Sequence, residues 1–260
     1  MIVRREPDGS LILITQNDHA KLSGLFAAHW GNAVFARPQP WESVVRAAAY
    51  HDWGWSRYET EPLYDEARGT APTFQEVPNS GHQLAAYQDA IDRLWEIDPY
   101  AGLLVSRHRT GLWRQRYGAV EVAPTQRNLG PEVDAMTSRE EARQELALHS
   151  LDRKIFAINY QLLQIYDLLS LYLCTGSPVA RTIASAPSDY AGDGHGGTPL
   201  TLTPRETGLI GIAPFPFDAS ALDVSLVYRR LPVGAYPSQA AFREAYFGAA
   251  PKVMSFRFEG

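Results

Sequence analysis

Cysteine is almost missing from this chain: Cys174 is the one sulfhydryl among 260 residues. A lone cysteine excludes an intramolecular disulfide and a zinc site built on several thiolates. No stretch approaches the ~18 uninterrupted apolar residues that signal a membrane span. The opening MIVRREPDGS carries charges but no apolar core, so no secretory signal is expected there. There is no run of Lys and Arg, and the formal net charge is −5. Both argue against nucleic acid or an anionic membrane as the main partner. Internal repeats are also lacking. These absences point to a soluble, cytoplasmic protein that acts on a small molecule; nothing in them fixes an oligomeric state. What is present is a hydrophobic share of 45%, enough for one large domain or a domain with an appended element.

The hydrophobic pattern divides the chain. Met1–Arg5 and Leu11–Thr15 flank Pro7-Asp8-Gly9 and read as a hairpin. A helix is predicted from Asn17 or Asp18, with Leu22, Leu25, Phe26 and His29 at helical spacing. Asn32–Pro40 is a loop, and a second helix runs from Pro40 into His51-Asp52. Residues 56–80 hold three prolines and few periodic signals, so they read as a long excursion. A third helix is capped by Asn79 or Ser80, and a fourth begins at Asp98-Pro99 and carries His108. Residues 118–137 look polar and loop-like. The capping box at Ser138–Glu141 opens a long helix, broken near His149-Ser150, whose second half Ile155–Cys174 is apolar nearly all round. Residues 175–198 are rich in Gly, Pro, Ser and Ala and read as a linker. Beyond them lie strand-like runs at Pro199–Thr203, Gly208–Ile212, Asp223–Arg229 and Val253–Phe258, with a short helix near Gln239–Tyr246.

Histidine and aspartate carry the chemistry. His19 lies three residues before Leu22 and seven before Phe26, so it faces the core. His108 follows Leu104 by four and points inward too, while His51 continues the stripe of Val44 and Ala48 with Asp52 beside it. Neighbouring helical residues diverge by roughly a hundred degrees, so a His-Asp pair reaches one cation from two directions or two cations at once. Asp167 stands within the most apolar helix, where an ionised carboxylate needs a positive partner or hydrogen bonds. Any one of these residues also suits a hydrogen-bonded core position. Taken together, with His82 in the first turn of its helix, they offer nitrogen and oxygen donors suited to Fe or Mn, and also to Zn, Co or Ni.

The order His19, His51-Asp52, His82, His108, Asp167 resembles the H…HD…H…H…D signature of the HD-domain superfamily, in its dinuclear variant. That resemblance implies a mainly α fold: an HD-like helical bundle over residues 16–174, with a small antiparallel β element from residues 1–15 and 199–260. It implies one or two divalent transition metal ions held by those six residues, with Asp52 bridging. The chain also resembles, over nearly its full length, an uncharacterised bacterial family of unknown function. That likeness rests on Gln16-Asn17-Asp18-His19-Ala20, His51-Asp52-Trp53-Gly54-Trp55, Ser106-Arg107-His108 and Ala213-Pro214-Phe215-Pro216-Phe217.

The implied activity is hydrolysis of a phosphate ester, as a phosphohydrolase or phosphodiesterase, by a metal-activated water. Many HD phosphohydrolases place Lys or Arg three residues after the Asp; here that position is Trp55. Arg107 and Arg109, flanking His108, are candidates for the missing cation, beside Lys21, Arg57 and Arg114. Two other readings share the same residues: a di-iron oxygenase acting on a small polar substrate, and a non-catalytic module stabilised by its metal. Gly192–Gly197 matches G-x-G-x-x-G by letter but lacks the preceding strand and following helix of a dinucleotide site. His29 shares a helix face with His19 and reads as a neighbour of the site.

Overall fold

The computed structural model describes residues 1–114, 129–191 and 197–260. Strands β1 (Ile2–Arg5) and β2 (Leu11–Ile14) form the hairpin, turned at Gly9 with φ +81°. Helix α1 (Gln16–His29) follows at once, because Thr15 caps it by accepting from the Asp18 amide at 2.9 Å. Then come α2 (Trp41–Tyr50), a 3₁₀ turn at Trp53–Trp55, α3 (Ser56–Thr60) and α4 (Gly81–Ile97), the last capped by Ser80. Asp98 caps α5 (Pro99–Trp113) through the amides of Tyr100 and Ala101, with Pro99 in the first turn. Helices α6 (Pro131–Leu148) and α7 (Arg153–Cys174) are separate, as the break near His149 predicts. Helix α6 starts at Pro131, one turn and more ahead of the Ser138 capping box. The rest of the expected 118–137 loop falls at or before Gly130, with 118–128 outside the described residues. Among the described residues no helix is long and apolar enough to cross a membrane.

The C-terminal part corrects the expected architecture. Strands β3 (Arg181–Ala186), β4 (Thr198–Glu206), β5 (Leu209–Ala213), β6 (Ala221–Leu231) and β7 (Lys252–Glu259) join the hairpin in one seven-stranded sheet, ordered β1-β2-β6-β7-β5-β4-β3. Helix α8 (Gln239–Gly248) lies between β6 and β7 in the chain. The protein is therefore not a mainly α bundle with a small antiparallel appendage. It combines helices with a large mixed sheet, since β5 and β7 pair in parallel. The stretch read as linker supplies the edge strand β3.

The sheet is a structural layer because its apolar face completes the helical core. Leu222, Val224 and Leu226 of β6 are buried while Asp223, Ser225 and Val227 between them are exposed. From α1, Phe26 meets Phe217 and Phe258 at ring-centroid distances of 5.8 and 5.5 Å. These rings share one core with Tyr166, Leu169 and Leu173 of α7. Strand β2 is buried on both sides. Ile12 and Ile14 enter that main core, while Leu11 and Leu13 pack with Leu231, Phe242 and Tyr246 under α8. The hairpin thus holds the start of α1 in place from both faces of the sheet.

Candidate metal centre

Four helices and the turn after α2 bring five of the expected donors together. His19 sits one turn into α1, His51 is the C-cap of α2, Asp52 begins the turn that follows, His108 lies late in α5 and Asp167 projects from the middle of α7. All five are buried, at no more than 6% exposure. The Nε2 atoms of His19 and His51 face each other at 3.2 Å. Asp167 Oδ1 lies 2.9 Å from the first and 3.4 Å from the second. Asp52 Oδ2 stands 4.0 Å and 3.8 Å from the same two nitrogens. His108 packs its ring edge-on against His51, with centroids 4.9 Å apart. Two triads arise, His19–His51–Asp167 and His51–Asp52–His108, each with donor atoms within 4.8 Å of one another and His51 common to both.

These separations suit a cation. Donors about 2.1 Å from a shared ion in tetrahedral or octahedral array lie roughly 3.0–3.4 Å apart, close to the spacing of the first triad. The outer nitrogens are tied down so that the inner ones face the cluster. His51 Nδ1 donates to the carbonyl of Ala48 at 2.8 Å. His19 Nδ1 meets Ser170 Oγ at 2.6 Å, and that hydroxyl donates to the Asp167 carbonyl at 2.8 Å. Ser23 Oγ supports Ser170 at 2.9 Å. Such outer partners fix ring orientation and tautomer at metal sites. Gln16 Nε2 donates to Asp52 Oδ2 at 2.9 Å and orients that carboxylate.

Electrostatics agree with the geometry. Burial works against an imidazolium at His51, yet Asp52 and Asp167 outweigh it and raise the pKa to about 9. Burial also opposes ionisation of Asp167, but hydrogen bonds from His19 and His51 hold its carboxyl well below the usual range. His108 goes the other way: burial first, then the neighbouring His51 charge, push it down to about 4. His108 is thus neutral at pH 7, the form that coordinates metal.

The remaining expected residues lie elsewhere or have other partners. His82 is exposed in the first turn of α4 and does not enter either triad. His29, at the end of α1, pairs with Asp218 at 2.9 Å and is 39% exposed, so it is a surface contact and no neighbour of the site. Arg107 donates to Gln144 and leans over Tyr160, whereas Arg109 is buried against Tyr87 and Trp113. Lys21 pairs with Asp18 and Arg114 with Asp134, and Arg57 is exposed. Gly192–Gly196 lie outside the described residues. Sequence reasoning missed Gln16, Ser23 and Ser170. Gln16 was legible as the residue opening the QNDHA run, but the two serines become visible only where α1 crosses α7.

A family model described as a protein of unknown function (DUF3891) matches residues 1–233. The chain belongs to the DUF3891 family. The match spans all five gathered donors of this DUF3891 member, together with β6, against which the hairpin pairs. No curated protein and no solved structure matches the chain.

Proposed function

We propose that this DUF3891 chain is a metal-dependent hydrolase of the HD-domain type that cleaves a phosphate ester of a small molecule in the cytoplasm. One observation carries the reading: buried His and Asp donors from three helices and the turn after α2 meet at 2.9–4.0 Å around one point, between His19, His51, Asp52 and Asp167. A structural ion pair needs two partners. Two histidines and two carboxylates whose inner atoms all face inward suit a cation better. A divalent ion there would polarise a phosphoryl oxygen and lower the pKa of a bound water.

The chain's own residues divide the remaining work. His19, His51 and Asp167 would hold the ion, and Asp52, oriented by Gln16, would add a carboxylate from the turn. His108, neutral at pH 7, supplies a further nitrogen. The His-Asp pair sits at a helix end, as it does in the family that the H…HD…D order resembles. With all donors nitrogen or oxygen, Fe or Mn fits best, and Zn, Co and Ni are also compatible. The exposure of His82 leaves five of the six expected donors at the site.

The test is metal analysis of untagged protein, then reconstitution with Mn, Fe, Zn or Co and a screen with generic phosphomonoesters and phosphodiesters, with oxygen uptake followed in parallel. The expected result is bound metal, phosphate-ester cleavage and no oxygen uptake. An Asp52→Ala variant is expected to lose most of both. Full metal content in that variant, or oxygen consumption in place of ester cleavage, would overturn the proposal.

A further inference from the structure

Arg109 differs from the other cations around the centre. Lys21, Arg107 and Arg114 each have a hydrogen-bond or ion-pair partner. Arg109 is only 9% exposed, and among the described residues it has no carboxylate within ion-pair distance and no hydrogen-bond acceptor; its Nε is fully enclosed. Its guanidinium carbon lies 3.6 Å from the centre of the Tyr87 ring and 4.6 Å from that of Trp113. Ring faces attract the charge but satisfy none of the five N–H donors. A buried guanidinium without an anion is costly unless a ligand supplies one.

Two further donors lie in the same aromatic cluster without acceptors. The Tyr87 hydroxyl and the Trp55 indole N–H are both enclosed and have no hydrogen-bond partner among the described residues. Trp55 and Tyr87 meet edge to face, with centroids 6.0 Å apart. All three groups can donate and so share a need for acceptor atoms.

The cluster adjoins the His–Asp centre through two covalent links. Arg109 follows His108 directly. Trp55 closes the 3₁₀ turn that starts at Asp52, and Gly54 in that turn lies so close to Tyr87 that a Cβ there would come within 2.5 Å of the ring. Burial first raises the Tyr87 phenol well above its ordinary value. The Arg109 charge opposes that rise and Asp52 adds to it, so the phenol is within electrostatic reach of both.

We propose that Arg109, with the Tyr87 hydroxyl and the Trp55 indole, forms an oxyanion subsite that holds a phosphate or carboxylate group of the molecule processed at the adjoining centre. Guanidinium offers two parallel N–H bonds to such a group, which a lysine cannot match. The assignment to a processed substrate rests on the hydrolase reading; the anion binding does not.

The experiment therefore uses the full chain freed of metal by a chelator. Inorganic phosphate and, separately, acetate are titrated while the ¹⁵N-edited Arg109 Nε–H resonance and tryptophan fluorescence are followed. A saturable shift of that resonance is expected with at least one of the two anions, and the tighter-binding anion assigns the group. Arg109→Gln should weaken binding at least tenfold, and Arg107→Gln should leave it unchanged. If Arg109→Gln does not fold, Tyr87→Phe is read instead, with an expected loss of roughly threefold to tenfold for one hydrogen bond. The subsite is overturned if neither anion moves the wild-type resonance, or if the folded variant binds as tightly as wild type. Metal uptake without anion binding would sink the subsite alone; anion binding without metal uptake would sink the centre alone.

Discussion

Loading a cation between His19, His51 and Asp167 must expel a proton, and the size of that effect follows from the geometry. Two ring nitrogens face each other at 3.2 Å, with a carboxylate oxygen 2.9 Å from the nearer one. In the metal-free protein burial works against the His51 charge, but the Asp52 and Asp167 carboxylates outweigh it and hold the pKa up at about 9. At pH 7 a cation competes with the His51 proton across about two pH units. Its apparent affinity should then be roughly a hundredfold, or about 3 kcal/mol, below the limiting value. Affinity should rise about tenfold per pH unit from pH 7 and level off near pH 9.

Calorimetric titration of chelator-treated protein with Mn²⁺ or Zn²⁺, in two buffers of different ionisation heat, should report about one proton released at pH 7. The same shift governs stability. A histidine whose folded pKa is raised stabilises the metal-free fold fully below about pH 6.5, its unfolded value. That contribution disappears as pH rises through about 9. The melting temperature of the metal-free form should fall across this window, and that of the loaded form should not follow it. A pH-independent affinity with no proton release would refute the idea that the His51 proton competes with the cation.

Ser170→Ala should free the His19 ring and weaken metal affinity about tenfold to a hundredfold, with the fold intact by circular dichroism. Competition against a fluorescent chelator reads that change. His82→Ala should retain full metal content and shift stability by no more than about 0.5 kcal/mol in a denaturant titration; loss of metal there would restore the sixth donor. Gly54→Ala should destabilise the protein by about 1–3 kcal/mol in the same assay, because the added Cβ meets both the Tyr87 ring and its Cα, the latter at 3.0 Å.

The centre was more legible in the sequence than the architecture, and the reason is range. His19 and His108 announce their inward direction through apolar neighbours three, four and seven residues away, and a helix turns that spacing into a face. Asp167 stands out because a carboxylate in an apolar helix demands a partner. His82 misled because a place in the first turn of α4 does not say which way a residue faces: Gln83 and Leu84 take the buried side of that turn and His82 the exposed one. Strand alternation at Asp223–Arg229 was readable, but its partners were not. Leu11 pairs with Leu231 across 220 residues, and no local pattern encodes such a contact. Strand β3 was hidden for a related reason: it is an edge strand in a Gly- and Ser-rich stretch, and its pairing with β4 supplies what its own propensity lacks.

That long pairing has a consequence for how the protein comes into being. The strand leading straight into α1, and so into His19, finds its inner partner only in residues 229–231. A nascent chain can form α2, α5 and α7 much earlier, but β2 waits beside an unfilled sheet edge until residues 229–231 have been made. Contacts so distant along the chain are slow to form. The His–Asp cluster is therefore expected to be among the last parts of the molecule to mature, and uptake of an ion there would mark a finished fold.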